Sequence, residues 1–153
     1  MLLLIFSCKT SKITTLPETQ IVEVGTQGTV IVKAWGTAKK VDLAKEEACK
    51  NAVYAFLFKG FPSSKGVLSS DLRPLLSDPN TEETHSDYFK SFFANGGKYT
   101  KFVSFATGSG YVDANDKEKV KGLYKVGVVV VINKSLLIKE LEDAGIKPKF
   151  GIN

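Results

Sequence analysis

The side chains best suited to catalysis or metal binding in this chain are two cysteines and one histidine. Cys8, Cys49 and His85 lie far apart in the sequence and do not form the short Cys/His spacings of structural zinc sites. A nucleophilic cysteine needs a base beside it, and no Ser/His/Asp order, phosphate-binding loop or metal-ligand set is present. We therefore predict neither a cofactor nor a metal site, and no enzymatic reaction.

Acid–base chemistry near His85 is the enzymatic alternative, because several acids precede it in the sequence. These acids are Asp71, Asp78, Glu82 and Glu83. Acidic residues at the start of a helix have a simpler explanation, since they stabilise its N-terminus. A lone histidine on a helix is usually structural or on the surface. Cys49 falls between small apolar residues of a predicted helix, which indicates a buried, unreactive thiol.

The first eight residues, MLLLIFSC, are an apolar run that ends in a cysteine, after which the composition becomes polar. This stretch resembles the end of a bacterial lipoprotein signal peptide. The resemblance implies that Cys8 becomes the lipid-modified first residue of the mature protein and that the lipid is a membrane anchor. The alternative is a buried N-terminal strand. The run is too short to span a bilayer. Residues 9–20 are polar and contain Pro17, which is typical of a tether.

The segment from Thr29 to Gly60 predicts a strand followed by the longest helix. Alternation over Thr29–Ala38 places Val30, Val32 and Ala34 on a core face. The helix is predicted over Val41–Lys59, and Gly60 ends it. Four alanines recur in it at helical spacing, which predicts a narrow ridge that packs close to a sheet. They are Ala44, Ala48, Ala52 and Ala55.

A helical insert is predicted at about residues 61–97. It comprises a loop with a single turn at Leu72–Leu76 and a helix over Thr81–Ala94. The helix carries an aromatic stripe that indicates either core packing or a partner-binding surface. The stripe consists of Tyr88, Phe89, Phe92 and Phe93.

Two strands and a helix are predicted to follow, over Lys98–Val112, Glu118–Ile132 and Lys134–Ala144. The fold class is α+β, in the order β-α-(helical insert)-β-β-α, with a small, mainly antiparallel sheet on an alanine-rich helix. Residues 21–153 are predicted to form one domain.

The chain carries a net charge of +5, with a pI near 9.1. This charge favours anionic partners. The cations are nearly all lysine, whereas arginine dominates specific phosphate and base recognition. Nucleic acid is therefore disfavoured as a partner. The alternative function is that of a small α+β domain that binds a polyanion or nucleic acid through its lysine-rich surface. The basic segment Lys117–Lys125 contains Lys117, Lys119 and Lys121 as candidate contact residues.

Two segments, WGTAKKVDLAKEEACKNAVYAFLFKG and LYKVGVVVVINKSLLIKELEDAGI, resemble a group of small bacterial envelope domains. The group comprises the N-terminal domain of the flagellar assembly protein FlgT and the related twenty-kilodalton lipoproteins. The resemblance rests on small and apolar positions such as Gly36, Ala48, Tyr124 and Leu137. It implies a non-enzymatic envelope lipoprotein, at the outer membrane and facing the periplasm or the surface. Such a protein would work through protein–protein interaction, with an unknown envelope protein as its partner, or through envelope assembly.

Overall fold

The computed structural model describes residues 19–25 and 28–146. Its strands are β1 (Thr19–Val24), β2 (Thr29–Ala38), β3 (Val103–Phe105), β4 (Lys117–Val120) and β5 (Leu123–Asn133). Its α-helices are α1 (Val41–Tyr54), α2 (Thr81–Thr84), α3 (Ser86–Phe92) and α4 (Lys134–Asp143). The predicted α+β class, with an antiparallel sheet packed on an alanine-rich helix, is confirmed.

β2 and β5 form the centre of the sheet. They pair antiparallel along the whole length of β2, with Val32 opposite Val130 and Ala34 opposite Val128. The strand order is β1-β2-β5-β3, and β4 pairs with the other end of β5. The alternation predicted for β2 is confirmed, because Val30, Val32 and Ala34 are buried on the face that α1 covers. β1 begins at Thr19, so the last two residues of the predicted tether belong to the sheet.

The alanine ridge of α1 lies directly against β2. Ala44, Ala48 and Ala52 are 0% exposed. A Cβ atom added at Gly36 of β2 would collide with the Ala44 carbonyl oxygen and the Ala48 amide nitrogen. Small side chains therefore bring the backbones of helix and sheet into contact, as the sequence predicts.

Helix α1 continues as a π-helical segment, Ala55–Lys59, and ends at Gly60, whose φ is 72°. The amides of Leu75 and Leu76 then donate hydrogen bonds of 2.9 Å to the carbonyls of Phe56 and Leu57. No helical turn forms over Leu72–Leu76, where the chain bends at Arg73 and Leu75, so that prediction is wrong.

The predicted helix over Thr81–Ala94 is divided into α2 and α3 at His85, whose φ and ψ are −113° and 35°. The helical part of the insert therefore spans Thr81–Phe92 only. Phe89 and Phe92 are buried, and the Phe92 ring stacks on Phe102 with the centroids 6.0 Å apart. Two of the four aromatic residues of the stripe thus belong to the core.

The two strands predicted after the insert differ from the structure. Residues 98–101 form a 3₁₀-helix, and only Val103–Phe105 of the predicted Lys98–Val112 strand is β-structure. The predicted Glu118–Ile132 strand is a hairpin of β4 and β5. Its two-residue turn is Lys121-Gly122, with φ values of 51° and 80°.

Helix α4 begins as predicted. The Asn133 side chain accepts a hydrogen bond from the Leu136 amide (3.1 Å), and Leu137 and Leu141 are fully buried. Leu136 itself is 50% exposed. Among the described residues, no helix combines the length and apolar character needed to cross a membrane.

Candidate functional site

A cleft of about 630 Å³ lies beside β3, between the sheet edge and α1. One wall is β3 itself, and the other is formed by Glu46 and Cys49 of α1. Gly96, Tyr99 and Thr100 also line it, on the side of the 3₁₀-helix, and Gly108 lines it on the side of the loop after β3. This volume is within the range of small-ligand and side-chain pockets, roughly 300–1,000 Å³.

The loop after β3 is held against both walls of the cleft. The Lys45 ammonium donates to the Ser109 carbonyl oxygen at 3.4 Å, which links the loop to α1. A Cβ atom at Gly110 would touch the Phe105 ring at 3.0 Å, so the backbone there lies on that ring. Gly110 has a φ of 64°, and glycine therefore suits this position in both conformation and size.

The wall formed by β3 is an unpaired sheet edge. The Ala106 amide donates a hydrogen bond to the Val129 carbonyl of β5, and the Asn133 amide donates one to the Phe102 carbonyl. Between these two bonds, Ser104 lies opposite Val131. In an antiparallel ladder the intervening residues point their N–H and C=O groups the other way. Those of Val103 and Phe105 therefore face away from β5, and no described residue bonds to them.

Cys49 and Tyr99 in the cleft are poor nucleophiles. Burial, followed by the negative charge of Glu46, raises the pKa of the Cys49 thiol to about 11. Burial also raises the pKa of Tyr99, and the nearby Cys49, Glu46 and Glu47 add to the effect. Both groups are thus protonated at neutral pH. The predicted unreactive character of Cys49 agrees with this environment, because a thiol reacts as its thiolate.

Glu46 is the exposed charge of the cleft lining. No described lysine or arginine forms an ion pair with it. Its neighbour Lys45 lies 3.8 Å from Asp42 as well as near the Ser109 carbonyl. The cleft therefore combines apolar walls, unpaired backbone groups and one free carboxylate.

The aromatic stripe adjoins the 3₁₀-helix that borders this cleft, because the Phe93 ring stacks on the Tyr99 ring with the centroids 6.0 Å apart. Phe89 and Phe92 are core residues, whereas Tyr88 and Phe93 are half-buried. The Tyr88 hydroxyl donates to the Glu140 carboxylate of α4 at 3.1 Å, and Lys98 donates to the same oxygen at 2.7 Å. Partner binding by these four aromatic residues stays a prediction, and burial gives Phe89 and Phe92 a packing role.

The hydrogen bond from Lys98 is the main cause of a lowered Glu140 pKa; burial opposes it and the Tyr88 hydrogen bond supports it. Burial, and then the bond to Glu140, raise the pKa of Tyr88. A second pair of this kind joins α1 to α2, where Tyr54 donates to Glu82 at 2.9 Å. Burial and that bond raise the pKa of Tyr54 to about 12. These pairs attach the insert to the rest of the fold.

The predicted basic residues lie on the β4–β5 hairpin. The Lys117 and Lys119 ammonium groups are 5.6 and 5.3 Å from the centroid of the Tyr124 ring, and Lys121 is in the turn. β4 pairs with Leu123–Val126, whereas β3 pairs with Val130–Ile132. The hairpin and the cleft are therefore at opposite ends of one edge of β5.

The remaining predicted site residues are not assembled into a site. Cys8 lies outside the described residues. Within 19–25 and 28–146, no three His, Cys, Asp or Glu side chains are grouped as metal ligands would be. His85 is the half-buried residue at which α2 and α3 divide.

Sequence reasoning missed the cleft. The glycines that flank it, Gly96-Gly97 before β3 and Gly108 after it, were the available signal.

Comparison with known proteins finds no match for this chain among protein-family models, curated proteins or solved structures. The resemblance to envelope lipoproteins accordingly stays a prediction.

Proposed function

We propose that this protein is a non-catalytic domain, held at a bacterial envelope membrane by a lipid on Cys8, that acts by binding a protein partner. The observation that carries the proposal is the sequence MLLLIFSC followed by a polar segment. Two or more acyl chains on one residue give stable anchoring without a membrane-spanning helix. Residues 9–18 would then connect the anchor to β1 and keep the domain close to the bilayer.

Binding, rather than catalysis, is the activity that the cleft supports best. Its two titratable side chains other than Glu46 are protonated at neutral pH because their pKa values are raised. Apolar walls beside unpaired backbone groups suit recognition of another chain. The outer membrane is the proposed location, with the domain facing the periplasm or the surface.

Polyanion binding is the second candidate. The observation in its favour is the pair of ammonium groups, from Lys117 and Lys119, beside the Tyr124 ring. Other lysines are distributed over the sheet and helices. Lys33, Lys98 and Lys139 form ion pairs with acidic residues. These ion pairs argue against one continuous basic surface. Steep salt dependence of heparin binding, lost on Lys117→Ala/Lys119→Ala, would favour this candidate.

The anchor is tested by metabolic labelling with a clickable fatty acid in a bacterium, followed by intact mass of the membrane-extracted protein. We expect acyl incorporation that Cys8→Ala abolishes. Cys49→Ala is the matched control, because it removes the other cysteine and should leave the label unchanged. Incorporation that survives Cys8→Ala would contradict the anchor.

A further inference from the structure

We propose that β3 binds an extended peptide segment of the protein partner, which adds a strand to the free edge and places alternate side chains in the cleft. This inference rests on the proposed protein-binding function and names the kind of partner. The partner segment would carry apolar residues at alternate positions and a lysine or arginine that reaches Glu46.

The backbone of β3 provides the pairing groups. Val103 and Phe105 each direct one N–H and one C=O away from β5. Unpaired groups of this kind are a template for a further strand. An added strand would satisfy all of them, and main-chain hydrogen bonds are the source of affinity in recognition by strand addition.

The other edges of the sheet are protected against such pairing. β1 has a bulge between Ile21 and Glu23, and the Glu23 carboxylate is exposed on that strand. β4 consists of four exposed residues, KEKV, in which Lys117 and Lys119 alternate with Glu118. Bulges and edge lysines are the usual devices against edge pairing. β3 has the sequence Val-Ser-Phe and no charge.

The cleft would supply specificity. Val103, Phe105, Tyr99 and Cys49 offer apolar surface to side chains that alternate along a bound strand. Glu46 stands at the rim without an ion-pair partner among the described residues. A cation on the peptide would complement its charge, and this exposed pair would set orientation more than affinity.

The test uses a phage-displayed library of random decapeptides selected on the purified full chain. We expect enriched peptides with alternating apolar residues and at least one Lys or Arg. The best peptide should bind with a Kd in the micromolar range. N-methylation of its alternate amides should weaken binding at least about tenfold, because each methyl group removes a backbone donor. This arm needs no protein variant.

Protein variants locate the site. Phe105→Lys gives β3 the edge lysine that β4 already has, and should abolish binding. Val120→Lys, at the 41% exposed end of β4, is the matched control and should bind normally. Glu46→Gln should weaken binding of the basic peptides and flatten its salt dependence, whereas Glu83→Gln on α2 should do neither. Thermal unfolding of each variant checks that it is folded.

Three results of the binding experiments would overturn the inference, and a fourth would come from the oligomeric state. The three are the absence of enriched peptides, equal binding of the N-methylated peptide, and equal binding by Phe105→Lys. A dimer that Phe105→Lys dissociates would also contradict it, because the edge would then serve a second copy of this chain. The anchor is judged separately. Acyl labelling at Cys8 with no peptide binding removes only this inference, and peptide binding without labelling removes only the anchor.

Discussion

β3 and β4 pair with the same edge of β5, yet the outer edges of these two strands differ in charge. β3 carries no charged side chain, whereas β4 carries three. By the hairpin register, the β4 amides that face away from β5 are those of Lys117 and Lys119. The side chains of these two residues are charged and exposed. The corresponding amides of β3 belong to Val103 and Phe105, which line a cleft. The difference indicates that one part of this edge is protected from association and that the other is open to it.

The largest expected effect is on stability, through the position of α1. This helix forms one wall of the cleft beside β3, and no residue of β4 lines that cleft. Gly36→Ala should force α1 away from β2, since the added Cβ meets helix backbone. We expect a loss of about 1–3 kcal/mol in the free energy of unfolding, measured by urea denaturation, as in overpacked cores. Ala48→Leu should cost a similar amount.

Gly108→Ala is the matched control for Gly36→Ala. A Cβ atom there has no heavy atom within 4 Å, so its effect should be within about 0.5 kcal/mol. If Gly36→Ala unfolds at the same urea concentration as Gly108→Ala, the close helix–sheet contact is wrong.

The protection of β4 can be removed in a second experiment. Lys117→Val with Lys119→Val should make β4 resemble β3 without its cleft. We expect concentration-dependent self-association in sedimentation velocity, because an uncharged edge pairs with other edges. The loss of two cation–π contacts with Tyr124 should also cost about 0.5–1 kcal/mol each. Lys90→Val, on the exposed side of α3, is the control, and equal association of both variants would show that the edge is not responsible.

A smaller effect concerns the 3₁₀-helix at the end of the cleft, which Lys98 joins to Glu140 of α4. The Glu140 pKa is lowered in the folded protein, so its stabilisation is present above the unfolded pKa of about 4.3 and is lost as the pH falls through the folded value. Glu140→Gln should therefore reduce the acid-induced loss of stability. Thermal melts from pH 7 to pH 3 measure it. Glu142→Gln, on the exposed side of α4, should leave the acid limb unchanged.

The smallest expected effect is on the reactivity of Cys49, measured in a Cys8→Ala background. Since its pKa is raised to about 11, the thiolate should be scarce at pH 8, and the rate of disulfide exchange with Ellman's reagent should rise as the pH approaches 11. The selected peptide should slow the reaction, because Cys49 lines the cleft. An unchanged rate with saturating peptide would place the peptide elsewhere.

The face of the sheet that α1 covers could be predicted from the sequence. The edge formed by β3 and β4 could not. The alternation in β2 and the alanines of α1 are local patterns, and each predicts its own structure. The long strand predicted after the insert is shortened by tertiary context. β5 shares one edge between two partners: β4 pairs with Leu123–Val126, and β3 pairs with Val130–Ile132 only.

Local turns are the second reason why the strands at this edge could not be predicted from the sequence. The Thr100 hydroxyl and amide both donate to the Gly97 carbonyl (2.8 and 3.2 Å), which coils residues 98–101 despite their strand-like alternation. The Lys121-Gly122 turn lacks the Asn-Gly or Asp-Gly signal of a tight hairpin. The sequence therefore predicts a single strand where the structure has β4 and β5. The cleft is formed by the space between these irregular segments and α1, and the flanking glycines mark its borders in the sequence without defining its walls.

Amide hydrogen exchange of β3 and β4, followed by NMR with and without the selected peptide, tests the central claim most directly. Binding at the free edge should slow the exchange of the Val103 and Phe105 amides, because their N–H groups become donors to the added strand. The amides of Lys117 and Lys119 should exchange at their original rates. Slowing at the β4 amides alone, or no slowing at Val103 and Phe105 with the peptide bound, would contradict the account.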